Sequence, residues 1–222
     1  MKKKSITIVA AALTLFVASC ETTVNNVNVA AKEAANDSSA AAVASKEIES
    51  KSVYNVDATS IGFTAFKTTE KFPVKGWFKS FSISKINQAE RVEEVFANAS
   101  ISIDVASLET NDEGRNQRLI SEFFGKTTSN ESIEGKVVAF DAQNSTAALS
   151  LNFNGVEKEL TFNYSLSGDT LNMNSTLNLA DVNGLEALAS LNKACEVLHK
   201  GADGVSKTWE DVEINISTVL NK

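Results

Sequence analysis

Few residues of this chain could do chemistry, and the single histidine limits what they can do. A Ser-His-Asp triad would have to use His199, which lies near the predicted end of a helix, where an imidazole commonly complements exposed carbonyl groups. Ser60 and Ser121 are the candidate nucleophiles, but the sequence offers neither of them a base. One histidine and two cysteines, Cys20 and Cys195, cannot assemble a zinc site of Cys and His ligands. The chain is therefore not expected to be an enzyme, and no cofactor is implied.

Carboxylates are plentiful, but their spacing places no pair in a shared pocket. The candidates are Glu93-Glu94, Glu157 with Glu159, and Asp211 with Glu213. All of them occupy positions typical of solvated faces, and no glycine-rich phosphate loop is present. The net charge is −7 and, beyond the lysines at positions 2–4, lysines and arginines are not clustered, so nucleic acid is not an expected partner.

Cys20 is a candidate for covalent lipidation. Three lysines at positions 2–4 precede an apolar stretch of twelve residues at positions 6–17. This order is typical of a secretory signal, and the stretch is too short for a membrane span. Val17-Ala18-Ser19-Cys20 resembles the lipobox of bacterial lipoproteins, in which the cysteine becomes the acylated first residue. We expect a signal peptide over residues 1–19 and a lipid anchor at Cys20. The alternative is an ordinary cleaved signal with an incidental cysteine.

The residues after Cys20 predict a location and a tether. Glu21 is not the aspartate that resembles an inner-membrane retention signal, which favours the outer membrane, facing the periplasm. Residues 20–52 contain no aromatic residue and are rich in Ala, Asn, Ser and Glu, which is typical of a flexible segment. The folded domain is expected over residues 53–222. Cys195 then has no disulfide partner and is expected to be a buried apolar residue.

Short runs of alternating apolar and polar residues predict an antiparallel sheet in this domain. The clearest run extends from Leu149 to Leu179 and is interrupted at Asn154-Gly155 and Gly168-Asp169, which fit type I′ and type II′ hairpin turns. Further strands are predicted at Tyr54–Asp57, Ser60–Lys67, Val74–Phe78, Phe81–Ile83, Phe96–Val105, Val137–Phe140 and Trp209–Leu220. About eight to ten strands result, a number that suits a closed or sandwiched sheet.

Two amphipathic helices are predicted between the strands. In the first, Thr110-x-x-Glu113 has capping-box spacing, and Gly125 is placed to end the helix in the left-handed conformation. Its apolar stripe is Leu119, Ile120, Phe123 and Phe124. The second is predicted from about Asp181 to Lys200, with Leu185, Leu188, Leu191, Cys195 and Leu198 at helical spacing. Both stripes predict packing on or into the sheet.

Four segments then follow one another in a characteristic order. They are Tyr54–Phe63, Val74–Phe81, Ala99–Asp104 and Thr110–Phe124. Together they resemble the YceI-like family of bacterial lipid- and polyisoprenoid-binding proteins, and the resemblance covers residues 53–220. Its most specific part is the series Arg115, Leu119, Ser121, Phe123 and Phe124. The chain departs from the family pattern at Thr59, where members usually carry a histidine, and at Arg115-Asn116, which stands in place of an Arg-Asp pair.

The resemblance implies an all-β fold, a lipocalin-like antiparallel barrel of about eight to ten strands with two amphipathic helices. Its interior would hold a long-chain amphiphilic lipid such as a polyisoprenoid or quinone, for storage, transport or sequestration. The expected wall is formed by Phe63, Phe78, Ile101, Ile103, Leu149, Leu160, Phe162, Met173, Leu177 and Ile214, with Phe123 and Phe124 closing one side. Whether the protein forms a homodimer is left open.

Two other interpretations compete with lipid binding. In the first, the same residues simply fill the barrel, and the protein is a structural or interaction module of the envelope. In the second, Ser60 or Ser121 serves an envelope hydrolase, for which the sequence supplies no base.

Overall fold

A computed structural model describes residues 54–89 and 91–220, with Val56 described by its backbone alone. The predicted signal peptide, the anchor at Cys20 and the tether up to residue 52 lie outside the described residues. Within them, no helix is long and apolar enough to span a membrane.

Ten strands, all paired antiparallel, form one curled sheet within the described part of the chain. Their bounds are β1 Tyr54–Lys67, β2 Phe72–Phe78, β3 Phe81–Ser84, β4 Ser100–Asp104, β5 Leu108–Glu109, β6 Ser132–Asp141, β7 Thr146–Phe153, β8 Val156–Ser167, β9 Thr170–Asn178 and β10 Asp211–Leu220. The order of hydrogen-bonded neighbours is β3-β4-β6-β7-β8-β9-β10-β1-β2-β5. The predicted fold class and strand number are confirmed.

The first and last strands of this order, β3 and β5, belong to two neighbouring pairs of consecutive strands, β2 with β3 and β4 with β5. Each pair is here called an arm of the sheet. β3 follows β2 after two residues, and β5 follows β4 after a 3₁₀ turn at Val105–Ser107. At these joints the amide of Lys79 donates to the carbonyl oxygen of Ser107 at 3.1 Å, and the amide of Asp104 donates to that of Ser80 at 3.0 Å. The arm made of β2 and β3 therefore runs beside the arm made of β4 and β5, and the sheet curls into a barrel.

Backbone angles and register confirm both hairpin turns. Asn154 and Gly155 have φ values of 50° and 74°, as a type I′ turn requires, and Phe153 pairs with Val156. In the second turn Gly168 has a φ of 61° and the following residue is not in the positive region, as in a type II′ turn. The alternating run of the sequence thus forms β7, β8 and β9 in the expected register.

Two strands are longer than predicted, and both contain a shift of register. The predicted strands Tyr54–Asp57 and Ser60–Lys67 are one strand, β1, whose register with β10 shifts between Asn55 and Thr59. The register of β6 with β7 likewise shifts between Val137 and Ala139. The shift in β1 breaks the alternation, so in the sequence it resembles a break between two strands. The shift in β6 lies within the predicted strand and does not explain why residues 132–136 were missed.

The first predicted helix forms, but its ends differ from the prediction. Asp112 is the N-cap in place of Thr110, and its carboxylate accepts the amide of Arg115 at 2.9 Å. The segment comprises α2 at Glu113–Arg118, a π turn at Leu119–Phe123 and a 3₁₀ turn at Phe124–Lys126. A separate short helix, α1 at Val92–Val95, precedes it in the chain. Gly125 does not have a positive φ, so the predicted left-handed end is wrong.

The second predicted helix is divided into three pieces. They are a 3₁₀ turn at Leu179–Val182, α3 at Leu185–Ala194 and a 3₁₀ turn at Glu196–His199. Asn183 adopts the left-handed conformation, with a φ of 55°, and separates the first piece from α3. The predicted stripe is only partly buried. Leu188, Leu191 and Cys195 are buried, whereas Leu185 and Leu198 are 45% and 53% exposed.

Candidate functional site

The barrel contains an apolar cavity of about 170 Å³, here called the main cavity. Its walls come from the inward faces of the strands, and Phe123, Phe124, Leu188 and Leu191 cover it from the helical segments. The lining side chains are apolar except for Thr208 and the indole of Trp209, whose Nε1 donates to the carbonyl oxygen of Thr68 at 2.8 Å. A dry cavity of this size is large enough to hold a small hydrocarbon.

Three smaller cavities continue the main cavity in a line. The mouth cavity has about 160 Å³, the inner cavity about 60 Å³ and the end cavity about 30 Å³. The mouth and inner cavities share lining residues with the main cavity, and the end cavity shares them with the inner cavity. Along β10, Val212 lines the main cavity, Ile214 the main and inner cavities, Ile216 the inner and end cavities, and Thr218 the end cavity. The cavities therefore follow the strands through the barrel and do not lie as scattered voids.

The line of cavities has one polar end and one apolar end. Phe96 and Ala99, which follow α1 closely, border the end cavity. Lys67, Asp112, Arg115 and Arg118 line the mouth cavity, and Asp112 is exposed to solvent. An amphiphile would accordingly enter with its apolar chain inward and its headgroup at the mouth.

All twelve predicted wall residues lie along these cavities. The main cavity is lined by Phe63, Phe78, Ile103, Phe123, Phe124, Leu177 and Ile214. The inner cavity is lined by Ile101, Leu149, Leu160 and Phe162, and the end cavity by Met173. Their contact with a ligand stays a prediction.

Stacked and edge-on rings form the roof of the main cavity. The ring centroid of Phe123 lies 5.2 Å from that of Phe124 and 6.2 Å from that of Phe153. The ring of Phe78 lies 6.4 Å from Phe124 and 5.9 Å from Phe63. Because such pairs prefer these geometries, the ring positions are fixed by one another as well as by the backbone.

A buried amide holds the start of α2 at the mouth. The side-chain oxygen of Asn116 accepts the amide of Thr110 at 2.9 Å and its hydroxyl at 2.7 Å, and the side-chain nitrogen donates to Glu109 at 3.0 Å. The Asn116 amide, together with the Lys79 ammonium and the backbone amide of Asn111, lowers the pKa of Glu109 to about 2. This network fixes the helix that carries Arg115 and Arg118.

His199 lies at the mouth in a neutral form. Thr208 donates its hydroxyl proton to Asn192 at 2.8 Å, so Nδ1–H of His199 donates to the Thr208 oxygen at 2.7 Å. Burial, with the charges of Lys67 and Arg118, lowers the pKa of His199 to about 4. The predicted role of His199, complementing helix carbonyl groups, is wrong because its ring bonds the loop before β10 instead.

The polar mouth is the part of the site that the sequence prediction missed. Arg115, Arg118 and Leu119 are spaced i, i+3 and i+4, which places both arginines on the helix side that carries Leu119. This spacing is the signal by which the sequence could have indicated the mouth. Leu188, Leu191 and Phe153 also line the main cavity. The two leucines were expected to pack on or into the sheet, but none of the three was among the expected wall residues.

The described residues bring together little that resembles a catalytic centre. Ser60 and Ser121 are exposed, and the hydroxyl of Ser121 donates to the carboxylate of Glu122 at 3.4 Å, which is not positioned as a base for either serine. No group of three His, Cys, Asp or Glu side chains within residues 54–89 and 91–220 is arranged to hold a metal ion. Of the carboxylates predicted to be solvated, Glu93 is half-buried and accepts the hydroxyl of Tyr164 at 3.1 Å.

The fold and the cavities define a class of protein, a small antiparallel barrel that encloses an elongated apolar space. A family model described as the YceI-like domain matches residues 53–220, and the chain therefore belongs to the YceI-like family. The comparison with curated proteins finds no match.

Two solved structures share the fold at low sequence identity. BcnA of Burkholderia cenocepacia is 16% identical, with a TM-score of 0.51 over 76% of this chain and 99% of that chain. A polyisoprenoid binding domain from Saccharophagus degradans, implicated in plant cell wall breakdown, is 16% identical, with a TM-score of 0.52 over 77% of this chain and 99% of that chain. At this identity the likeness shows the barrel fold alone.

Proposed function

We propose that this protein binds one long-chain amphiphilic lipid, such as a polyisoprenoid or a quinone, inside the barrel. It stores, transports or sequesters the lipid without changing it chemically. The observation that carries the proposal is the line of apolar cavities running inward from a polar mouth. A barrel filled by its own side chains would not contain such a line of cavities. The cavities therefore favour ligand binding over a structural or interaction module with a filled interior.

The interior can supply useful affinity through burial alone. Each methylene transferred from water contributes about 0.8 kcal/mol, so a five-carbon isoprene unit contributes about 4 kcal/mol before the costs of association are subtracted. The main cavity suits a group of this size. A longer chain requires side chains such as Ile103 and Ile214, which border both the main and inner cavities, to move aside.

The cell envelope is the location that we propose for this function. The basic start, the apolar stretch and the lipobox-like residues ending at Cys20 support export and lipid anchoring. The outer membrane, facing the periplasm, is the proposed site of the anchor. Membership of the YceI-like family and the polyisoprenoid binding domain among the structural neighbours support an isoprenoid as the lipid.

Blocking the passage from the mouth tests the proposal. Ala65 lines both the mouth and main cavities, so Ala65→Trp places a large side chain between them. Ala148 lies on β7 between the buried Ala147 and Leu149 and lines none of the four cavities, so Ala148→Trp is the matched control.

Binding of geranylgeraniol, a C20 isoprenoid alcohol, is measured by calorimetry or by quenching of intrinsic tryptophan fluorescence. The wild type and Ala148→Trp should bind one molecule per chain, and Ala65→Trp should bind at least about tenfold more weakly, because loss of two buried methylenes already has that effect. No binding by the wild type, or equal binding by both variants, contradicts the proposal.

A further inference from the structure

Arg118 differs from the other cations of the mouth cavity in its bonding. Its Nε is buried and has no hydrogen-bond partner, and no ion pair of Arg118 occurs within the described part of the chain. Arg115, one turn earlier, pairs with Asp112 at 3.4 Å and donates to the carbonyl oxygen of Thr110 at 3.2 Å. Lys67 donates to the carbonyl oxygen of Leu198 at 3.1 Å.

The mouth cavity is positively charged although the chain as a whole is acidic. Three cations, Lys67, Arg115 and Arg118, line it together with one carboxylate, Asp112. His199, the remaining titratable group apart from Cys195, is neutral near pH 7 because its pKa is about 4. The chain carries a net charge of −7, so this excess of positive charge is local to the opening of the apolar cavities.

We infer that the mouth binds the anionic headgroup of the lipid and that Arg118 is its principal ligand, through charge-assisted hydrogen bonds from its guanidinium. This inference rests on the proposed function, which supplies the apolar chain. An N–H group that is buried without a partner costs free energy, and an anionic oxygen supplies both the partner and the opposite charge. Phosphate and carboxylate headgroups share this chemistry, since the guanidinium fork fits both.

The inference predicts selectivity between ligands that differ only at the head. Geranylgeranyl phosphate, geranylgeranoic acid and geranylgeraniol carry the same type of C20 chain with a phosphate, a carboxylate and a neutral hydroxyl. Hydrogen bonds to charged groups contribute enough to change affinity by about tenfold to a hundredfold. The wild type should therefore bind the phosphate or the carboxylate at least about tenfold more tightly than the alcohol, and the ratio of the two anions identifies the head that the mouth favours.

Arg118→Gln tests the residue, and two further variants keep the result interpretable. Arg118→Gln should bring the anions to near parity with the alcohol while leaving the affinity for the alcohol within about twofold. Arg118→Lys retains the charge and should keep most of the preference. Arg91→Gln removes a cation that pairs with Glu93 and lines none of the four cavities, so it should behave as the wild type.

The outcomes separate this inference from the proposed function. Equal affinity of the wild type for all three ligands overturns the headgroup site and leaves lipid binding intact. A preference for the anions that survives in Arg118→Gln overturns the role of Arg118, as does an equal loss of affinity for the anions and the alcohol. Failure of the wild type to bind any of the three contradicts the proposed function itself.

Discussion

Phe63 pairs with Gly76 across β1 and β2, and its ring occupies the space that a side chain at position 76 would need. A Cβ at position 76 would lie 2.7 Å from Cε1 of Phe63 and 2.9 Å from Cγ2 of Thr110, closer than real Cβ atoms approach. Phe63 lines both the mouth and the main cavity. Gly76 therefore determines where the ring lies at the junction between them.

Replacing Gly76 should affect both stability and binding. Gly76→Ala forces the Phe63 ring out of its position, and overpacking of this kind costs about 1–3 kcal/mol of the free energy of unfolding. The backbone at Gly76 does not have a positive φ, so the effect is steric. Urea unfolding measures the cost, and titration with geranylgeraniol should show weaker binding because the ring is displaced at the entrance.

Gly135→Ala is the control for the stability effect. It lies on β6, also without a positive φ, and its Cβ would make contacts of ordinary length, 3.6 Å and 3.8 Å. Its free energy of unfolding should stay within about 1 kcal/mol of the wild type. If the two variants unfold at the same urea concentration, the ring of Phe63 does not constrain position 76.

The buried amide of Asn116 should be a large contributor to stability near the mouth. Asn116→Ala removes the acceptor of the Thr110 amide and hydroxyl and the donor to Glu109. Leaving buried polar groups without partners costs about 2–3 kcal/mol. Gln117→Ala, at an exposed neighbouring position bonded to Glu113, should cost less than about 0.5 kcal/mol. If Asn116→Ala and Gln117→Ala lower the free energy of unfolding by the same amount in urea, the hydrogen bonds of Asn116 do not stabilise the fold.

The neutral His199 should make stability depend on pH between about 6.5 and 4. The unfolded chain takes up a proton at the ordinary pKa of 6.5, whereas the folded protein resists it down to about 4. The free energy of unfolding therefore falls as the pH falls through this window. The difference between these two pKa values corresponds to about 3 kcal/mol, and because the half-buried ring is partly screened by solvent we expect about 1–2 kcal/mol.

His199→Gln should remove this part of the pH dependence. The comparison is best made between pH 6.5 and 5, above the range in which Glu109, with its pKa of about 2 and an ordinary value of 4.5, loses its own stabilising effect. Thermal unfolding at several pH values provides the measurement. Parallel curves for the wild type and His199→Gln would mean that the imidazole is not held neutral by the fold.

The alternating pattern predicted the strands of the barrel well where hairpins fix the register. From β7 to β9 the two-residue turns and the alternation specify the same pairing, so each confirms the other. Bulges and helix breaks were not predictable in this way. The shift after Asn55 depends on pairing with the distant strand β10 and leaves no periodic signal. The left-handed residue Asn183 begins an Asn-Gly pair, a local turn signal that the helical spacing of the leucines around it outweighed.

The apolar wall was also predictable, since a period of two selects the inward face of each strand. Ile214 and Ile216, for example, face inward because they share one parity on β10. The mouth could not be predicted from parity. Arg118 lines a cavity only because the π turn and α3 pack over it, and a cation at that position is equally compatible with a solvated helix face.

Native mass spectrometry of the protein purified from the cells that naturally produce it tests the central claim most directly. We expect a mass increase that corresponds to one lipid per chain, and organic extraction of that complex should yield a long-chain isoprenoid or quinone. A protein that has the mass of the polypeptide and its covalent modifications alone, and that takes up no isoprenoid when incubated with one, would contradict it.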